Sequence, residues 1–253
     1  MSEENELMHH LKVKRGDIGK YVILPGDPGR VEKIARYLEN PRFLKTNREY
    51  TIWNGTLEGE LVTVMSTGMG GPSTAIAVEE LKKCGAEVLI RVGTCGGIDP
   101  SVVPGTLIIS TGAIRKEGTT REYVPIEYPA VPDFDLVCRL KAAAEKLGYP
   151  YVTGVTESKD SYYGQHDPES MPAAKELEYK WEAWKQAGAV ASEMEGAALF
   201  IVSSVRRMKA AAIFLLCRNI EREKTTGISD TDWDTSRTIE TAVEAIRSII
   251  KGE

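Results

Sequence analysis

Three arginines in this sequence each occupy a short motif that could bind an oxyanion: Arg30, Arg48 and Arg91. Far downstream, the tripeptide at residues 193–195 (EME) supplies two carboxylates. A guanidinium presents a fork of N–H donors that suits phosphate, and a carboxylate can accept two hydrogen bonds at once from neighbouring sugar hydroxyls. Together these residue types point to chemistry that joins phosphate to a sugar.

The first arginine ends the motif at residues 26–30 (GDPGR), between a predicted strand and a predicted helix. Glycine lets the backbone approach a ligand, and a helix start offers unpaired N–H groups. A tight turn with a surface arginine fits this motif as well. The second arginine lies in residues 47–50 (NREY), where adjacent Arg and Glu are also typical of a solvated surface.

The third arginine begins residues 91–97 (RVGTCGG), at the end of an apolar strand predicted at 88–92. We predict that residues 93–97 form a glycine-rich loop. Ligands in open α/β sheets collect at the carboxyl ends of strands, and successive glycines expose backbone donors to an anion. The pattern is not G-x-G-x-x-G and no Walker lysine follows, so dinucleotide and nucleoside triphosphate folds fit poorly.

The fourth motif, residues 192–198 (SEMEGAA), leads into an apolar helix. Its carboxylates could bind vicinal sugar hydroxyls, although glutamates at a helix start also complement the helix dipole. Met194 could pack against a sugar face or belong to the core.

Strand and helix signals alternate along almost the whole chain. Strands are predicted at residues 21–24, 50–53, 61–66, 88–92, 106–113, 151–156 and 211–216, and helices at 30–38, 72–84, 135–147, 175–186, 195–208 and 235–251. This alternation predicts an α/β protein with helices packed over a central, mostly parallel or mixed sheet. Neither a linker nor a repeat interrupts it, so we predict a single domain over residues 1–253.

Composition limits the classes of function. The chain has 253 residues, 42% hydrophobic and 27% charged, with a formal net charge of −5, so a broad nucleic-acid surface is not expected. Four cysteines without a C-x-x-C pair suggest reduced thiols, and three histidines cannot form a histidine-rich metal site. With neither a signal-peptide pattern nor an apolar run of about 20 residues, a cytoplasmic protein is expected.

The motifs recur in the order typical of one family. They are residues 25–28 (PGDP), 47–50 (NREY), 66–73 (STGMGGPS), 91–94 (RVGT) and 193–195 (EME). The chain thus resembles the nucleoside phosphorylases, the family of uridine phosphorylases and hexameric purine nucleoside phosphorylases, and is most similar to the uridine phosphorylase branch. The resemblance runs from His10 to the last helix and implies a mixed, partly barrel-like sheet flanked by helices.

The resemblance also implies roles for individual residues. Phosphate would be bound by Gly26, Arg30, Arg91, Thr94 and, from a neighbouring subunit, Arg48; ribose would be bound by Glu193, Met194, Glu195 and, across the same interface, His10. Arg30, Arg48, Arg91 and Glu195 would be catalytic. The family pattern is a homo-oligomer built from dimers, commonly a hexamer. It needs no cofactor, because phosphate is a co-substrate, and it can hold a monovalent cation near Glu49 and Ser73.

The base site would lie in residues 158–167 (SKDSYYGQHD), where Tyr162 would stack on the base and Gln165 would pair with its amide edge. Many relatives carry an arginine where this chain has Asp167, and aspartate cannot donate as guanidinium does. We expect Lys159 or His166 to supply the missing donor.

The implied reaction is phosphorolysis of uridine to uracil and ribose 1-phosphate. Purine-cleaving relatives place an aspartate after the strand that corresponds to 211–216, whereas this chain reads LCRN at 216–219. Asp230 or Glu221 could still reach the base from the polar segment 220–232, which we expect to be mobile. A purine nucleoside phosphorylase, a nucleoside hydrolase and a non-catalytic nucleoside-binding protein stay open as alternatives, and a comparison of uridine turnover with and without phosphate separates them.

Overall fold

Nine strands hydrogen-bond into one sheet in the computed structural model, which describes residues 6–253. The strands are β1 (Tyr21–Leu24), β2 (Glu39–Asn47), β3 (Tyr50–Leu57), β4 (Glu60–Met65), β5 (Val88–Gly97), β6 (Leu107–Lys116), β7 (Tyr151–Lys159), β8 (Ala191–Glu193) and β9 (Lys209–Arg218). The helices are α1 (Val31–Ala35), α2 (Gly71–Cys84), α3 (Phe134–Leu147), α4 (Tyr162–His166), α5 (Ala174–Gln186), α6 (Gly196–Val205), α7 (Ile220–Thr226) and α8 (Ser236–Lys251).

The sheet is partly closed into a barrel. Its strand order is β2-β3-β4-β1-β5-β8-β7-β6-β9, and β9 returns to pair in parallel with β5. Strands β5, β8, β7, β6 and β9 therefore form a ring, which leaves no free edge among them. The antiparallel strands β2, β3 and β4 extend the sheet beyond β1. The predicted α/β class with a mixed, partly barrel-like sheet is confirmed.

Strand β5 lies at the centre because both of its faces are apolar. Val88, Ile90 and Val92 pack into a core cluster with helices α3 and α8. Leu89 and Cys95 pack into a second cluster with helices α2 and α6. The two-residue period of a strand produces this division, since successive side chains point to opposite faces of the sheet. A strand buried on both faces is a rigid support for residues at its carboxyl end.

Two predicted boundaries near the motifs are wrong. The predicted helix 30–38 is only the short α1, preceded by a 3-10 turn at Pro28–Arg30. The predicted glycine-rich loop 93–97 is instead the second half of β5, because these residues pair with β9 and then with β8. Gly93 is needed for this packing, since a Cβ there would lie 2.8 Å from the ring of Phe214.

Four short or polar elements were not predicted. Strand β2 is mostly exposed and so lacks the apolar alternation that marks a strand, and β8 has only three residues. Helix α4 lies within the predicted base-binding segment. Helix α7 occupies the first part of the segment 220–232, which we expected to be a mobile loop. Across residues 6–253, no helix is both long and apolar enough to span a bilayer.

Candidate active site

A cavity of about 1370 Å³ opens where several strands end. Gly26 and Gly68 follow the carboxyl ends of β1 and β4, and Lys116, Lys159 and Arg218 end β6, β7 and β9. Side chains from neighbouring strand ends converge there because the barrel brings these ends together, as is usual for ligand sites in α/β proteins.

Most of the predicted site residues line this one cavity. They are Gly26, Arg30, Glu49, Arg91, Thr94, Lys159, Tyr162, Gln165, His166, Glu193, Met194 and Glu195. His10, Arg48 and Ser73 do not line it. The first two are the residues that the family resemblance assigns to a neighbouring subunit's site.

Arg91 lies at the predicted phosphate end of the cavity. Its side chain is 6% exposed and its guanidinium forms an ion pair with Glu195. A second nitrogen donates to Thr67 Oγ1 at 3.4 Å. The Nε atom has no hydrogen-bond partner and lies 3.9 Å from Glu193 Oε2. A buried N–H group without a hydrogen bond is costly, and the Glu193 carboxylate gives this one an electrostatic contact only.

Two more phosphate candidates line the same cavity, Gly26 beside that guanidinium and Arg30 in the turn that follows Gly26. A Cβ at Gly26 would lie 3.4 Å from Arg91 Nη2, so only glycine leaves the backbone fully open beside the arginine. Arg30 comes from the turn that follows, where Asp27 Oδ2 lies 4.0 Å from its Nε atom. Two arginines thus line the cavity, each with a carboxylate beside it.

Glu195 is held between Arg91 and the start of α2. One carboxylate oxygen accepts the Gly70 N–H at 2.7 Å, and the other pairs with Arg91. Gly70 adopts a φ of 88°, a conformation that favours glycine. Glu195, the predicted ribose ligand, is therefore in direct contact with Arg91, the predicted phosphate ligand. A charge bound near one of these side chains would act on the other.

Glu193 fixes the backbone on which Glu195 stands. One of its oxygens accepts the backbone N–H groups of Glu195 and Gly196, each at 2.8 Å, and the other accepts the Ser158 hydroxyl. Burial and the neighbouring Glu195 carboxylate raise the pKa of Glu193. It acts as a cap for the start of α6 and thereby orients Glu195. Its contact with ribose stays a prediction.

The predicted base end of the cavity carries two exposed ring side chains, Tyr162 and His166. The rings of Tyr162 and His166 lie 4.2 Å apart between centroids. Burial lowers the pKa of His166, and the nearby charges of Lys159 and Arg218 lower it further. His166 is therefore neutral at neutral pH. Of the two donors considered from the sequence, this favours Lys159 as the charged one.

Lys159 is buried and its ammonium group donates to Ser192 Oγ at 2.6 Å. Burial lowers its pKa, while the carboxylates of Glu157 and Glu193 act in the opposite direction. Ser192, Glu157 and Lys116 were not singled out from the sequence, although they surround this lysine. Only the position of Ser192 beside the EME tripeptide could have suggested it.

Asn219 follows β9 at the place where purine-cleaving relatives have an aspartate, and its side chain is used within the fold. Asn219 caps α7 by accepting the Arg222 N–H, and its amide group donates to the carbonyl oxygens of Asp99 and Val102. It is buried and does not line the cavity. Asn219 therefore stabilises the fold beside the cavity, and an amide cannot protonate a leaving base.

Glu221 does line the cavity, but three donors hold its carboxylate: Trp181, Lys185 and Lys224. Burial raises its pKa, yet these hydrogen bonds outweigh burial and leave the pKa below its usual range. An ionised carboxylate is a poor proton donor to a leaving base. Asp230 does not line the cavity and lies near Arg222.

The two residues assigned to a neighbouring subunit have distinctive surroundings. The ring Nδ1 of His10 lies 2.7 Å from Glu80 Oε1, and both Glu80 oxygens also accept backbone N–H groups of this segment. Arg48, in the turn between β2 and β3, adopts a φ of 54°, which is uncommon outside glycine. Their action across an interface stays a prediction.

Glu49 and Ser73 both flank Gly68: a Cβ there would lie 2.8 Å from Glu49 Cγ and 3.4 Å from Ser73 Oγ. The monovalent cation near them also stays a prediction. In residues 6–253, no cluster of three or more His, Cys, Asp or Glu residues is arranged to hold a metal.

Comparisons with known proteins identify the family and the relatives of this chain. The model of the family described as the phosphorylase superfamily matches residues 20–251. A uridine phosphorylase from Treponema pallidum is 51% identical over 96% of this chain and 94% of its own length. The uridine phosphorylase of Escherichia coli is 35% identical over 95% and 97%. A guanosine phosphorylase from Halorubrum lacusprofundi is 39% identical over 83% of each chain.

Proposed function

The chain belongs to the phosphorylase superfamily, and from that membership we propose that it is a uridine phosphorylase. The reaction is the reversible cleavage of uridine by phosphate, which yields uracil and ribose 1-phosphate. One observation carries the proposal beyond the comparisons: the Arg91–Glu195 pair lies in a cavity that also holds Arg30, Thr94 and an aromatic base platform.

Catalysis in this proposal depends on position and charge. Phosphate held by Arg30 and Arg91 attacks the anomeric carbon as the glycosidic bond breaks, and its negative charge stabilises the cationic sugar. Glu195 accepts hydrogen bonds from the ribose hydroxyls while it stays close to Arg91. No side-chain nucleophile is needed, because phosphate itself forms the new bond to carbon.

The leaving group is the second part of the mechanism. Uracil departs as an anion whose charge spreads over a ring nitrogen and two carbonyl oxygens. Donors at those oxygens bind this anion more strongly than the neutral nucleoside, which lowers the barrier. Lys159, with its ammonium group in the cavity wall, supports such a role.

A purine nucleoside is the second candidate substrate, because one similar protein is a guanosine phosphorylase. Purine release is usually helped by protonation of the base. The cavity wall offers Glu221 for this, but its lowered pKa and its three donors keep the carboxylate ionised, so it has no proton to give to the base. The contacts of Asn219 likewise favour a pyrimidine.

We further propose that the active form is a dimer-built homo-oligomer, commonly a hexamer, in the cytoplasm. Arg48 and His10 lie outside the cavity of their own chain, which supports a site completed by a second subunit. All four cysteines are unpaired thiols, as suits a reducing compartment. Phosphate is a co-substrate, and no cofactor is proposed.

The test is release of free base from a panel of nucleosides with and without phosphate. We expect uracil to appear from uridine only when phosphate is present, together with ribose 1-phosphate. Release without phosphate would indicate a hydrolase, and binding without turnover would indicate a sensory protein. Efficient cleavage of inosine or guanosine with no response to uridine would replace this proposal by the purine alternative.

A further inference from the structure

A buried hydroxyl at the base end of the cavity is surrounded by three polar groups. Ser192 Oγ lies 2.6 Å from Lys159 Nζ, 2.7 Å from a Glu157 carboxylate oxygen and 2.8 Å from the terminal amide of Gln165. Ser192 is 2% exposed and Glu157 is fully buried. In such a place water cannot replace a missing partner, so the hydrogen bonds must be consistent among the side chains themselves.

The chemistry of the neighbours decides the direction of each bond. A serine hydroxyl has one proton to donate and two lone pairs to accept with. The Lys159 ammonium can only donate, so it takes one lone pair. Glu157 forms an ion pair with Lys116, whose Nζ lies 3.1 Å from the other carboxylate oxygen, and a carboxylate in an ion pair can only accept hydrogen bonds. The single proton of Ser192 therefore goes to Glu157.

Only a lone pair of Ser192 is then left for Gln165, so the amide of Gln165 must donate to it. In the structure the amide oxygen faces Ser192, which would require one proton to serve two acceptors. A half-turn of the amide exchanges its oxygen and nitrogen at the same positions and removes the conflict. The nitrogen then donates to Ser192 and the oxygen faces the cavity. Within residues 6–253, that outer amide atom has no hydrogen-bond partner, so it is available to a ligand.

We propose that Ser192, fixed by Lys159 and Glu157, is a positioning residue that holds the Gln165 carbonyl towards the base. The cavity then selects bases that present a ring N–H beside a carbonyl group. Uracil, thymine, hypoxanthine and guanine have this edge; cytosine and adenine carry a ring nitrogen lone pair in that place. This inference rests on the proposed function only in that the occupant is a nucleobase, and it applies equally to a pyrimidine or a purine substrate.

The Gln165 carbonyl distinguishes bases with a ring N–H from bases with a ring nitrogen lone pair. A ring N–H donates to the Gln165 carbonyl, whereas a ring lone pair opposes it and leaves both groups without a partner. Sites built to pair with a polar group reject the analogue that lacks it, because the unsatisfied buried groups are costly. Gln165 could accommodate cytosine by rotating its amide, but Ser192 and Glu157 prevent this rotation.

The test measures a ratio, which a general loss of structure would not change. We would compare Ser192→Ala and Glu157→Gln with the unaltered protein, and determine dissociation constants for uracil, cytosine, hypoxanthine and adenine by calorimetry with phosphate present. Ser192→Ala removes the partner of the Gln165 amide, and Glu157→Gln replaces an acceptor-only carboxylate by an amide that can also donate, so the Ser192 proton is no longer committed to residue 157. We therefore expect the preference for uracil over cytosine, or for hypoxanthine over adenine, to fall by about tenfold, with the same narrowing in kcat/KM for any nucleosides that are cleaved.

Two controls complete the design. Ser192→Thr keeps the hydroxyl and should restore the ratio. Ser110→Ala removes another buried barrel serine, one that bonds to Thr156 and the Gly112 carbonyl outside the cavity, and should leave the ratio unchanged.

Weaker binding of both members of a pair at a constant ratio would overturn the proposal and leave Ser192 with a structural role only. A ratio that widens would show that the amide faces the other way, and failure of the unaltered protein to prefer ring N–H bases would also overturn it. The proposed function fails by a different result. If uridine is not cleaved but the preference for ring N–H bases is intact, the uridine phosphorylase activity is contradicted and the role of Ser192 is not.

Discussion

Arg91 and Glu195 form an ion pair that is almost closed off from water, and each has few other hydrogen-bond partners. Arg91 has an unpartnered Nε atom, and Glu195 also accepts from Gly70. Removal of one partner from a buried pair leaves the other charge without compensation, which costs far more than loss of an exposed pair. The same two residues carry the proposed chemistry, so substitution should affect both stability and activity.

For Arg91→Ala we expect phosphorolysis to lose about 100-fold to 1000-fold in kcat/KM, because a preorganised donor to the developing charge is removed. We also expect the free energy of unfolding to fall by about 3 kcal/mol, because Glu195 is left buried and unpaired. Steady-state assays with uridine and phosphate, together with urea denaturation, measure the two effects.

Arg247→Ala is the matched control for this substitution. Arg247 lies on α8 and pairs with Glu58 and Glu244 outside the cavity. Its loss should change stability by only about 1 kcal/mol or less and leave kcat/KM unaffected. Near-normal activity of the Arg91 variant would contradict the assignment of phosphate to this end of the cavity.

At the scale of elements, the segment before β1 is attached to α2 through one buried carboxylate. Glu80 accepts the backbone N–H groups of His10 and Leu11 and lies beside the His10 ring. Burial raises the pKa of Glu80, but these hydrogen bonds outweigh it and leave the pKa below the usual 4.5. The position of His10 therefore depends on an ionised Glu80.

The lowered pKa gives a pH dependence with a definite sign. A carboxylate whose pKa is lower in the folded state stabilises that state above the unfolded pKa, near 4.5, and loses the effect as pH falls through the folded value. We expect hydrogen-exchange protection of the Leu11 amide to decline below about pH 4.5 in the unaltered protein. Glu80→Gln should weaken that protection at neutral pH and remove its acid dependence.

Glu79→Gln is the neighbouring control, since Glu79 bonds to Arg206 and does not contact residues 10 and 11. It should leave the protection of Leu11 unchanged. Equal effects of the two substitutions would mean that α2 as a whole, and not the Glu80 carboxylate, holds the segment in place.

At the scale of the whole molecule, the proposal assigns Arg48 to a second subunit's site, and Arg48 does lie outside the cavity of its own chain that contains Arg91. Arg48→Ala leaves its own cavity intact but cannot complete its partner's, and Arg91→Ala does the reverse. A hybrid dimer of the two variants has one intact site, and random pairing makes half of the dimers hybrids. We therefore expect about a quarter of the unaltered activity from a mixture of two inactive variants.

The control mixture combines Arg91→Ala with Glu195→Ala. Both residues belong to the same cavity, so every site in the hybrid carries a defect and no activity should return. Coexpression followed by uridine assays measures both mixtures. Absence of recovery in the first mixture, or full activity of Arg48→Ala alone, would contradict a shared site.

The sequence by itself determined the α/β class and most helix and strand positions, because these depend on local patterns. Helix α3 is an example: Asp133 caps its start, and Gly148 ends it with a φ of 71°. The predicted range 135–147 differs from the observed helix by one residue. The ordered motifs also indicated the family, since each motif is contiguous in the chain.

Only the tertiary structure decided the features that depend on distant partners. Residues 93–97 are a strand and not a loop because β8 and β9 pair with them, which no local pattern of glycines reveals. The cluster around Ser192 joins side chains from β6, β7, α4 and β8. The direction of its hydrogen bonds, and hence the atom that faces the base, is fixed only when barrel closure buries these groups together and excludes water.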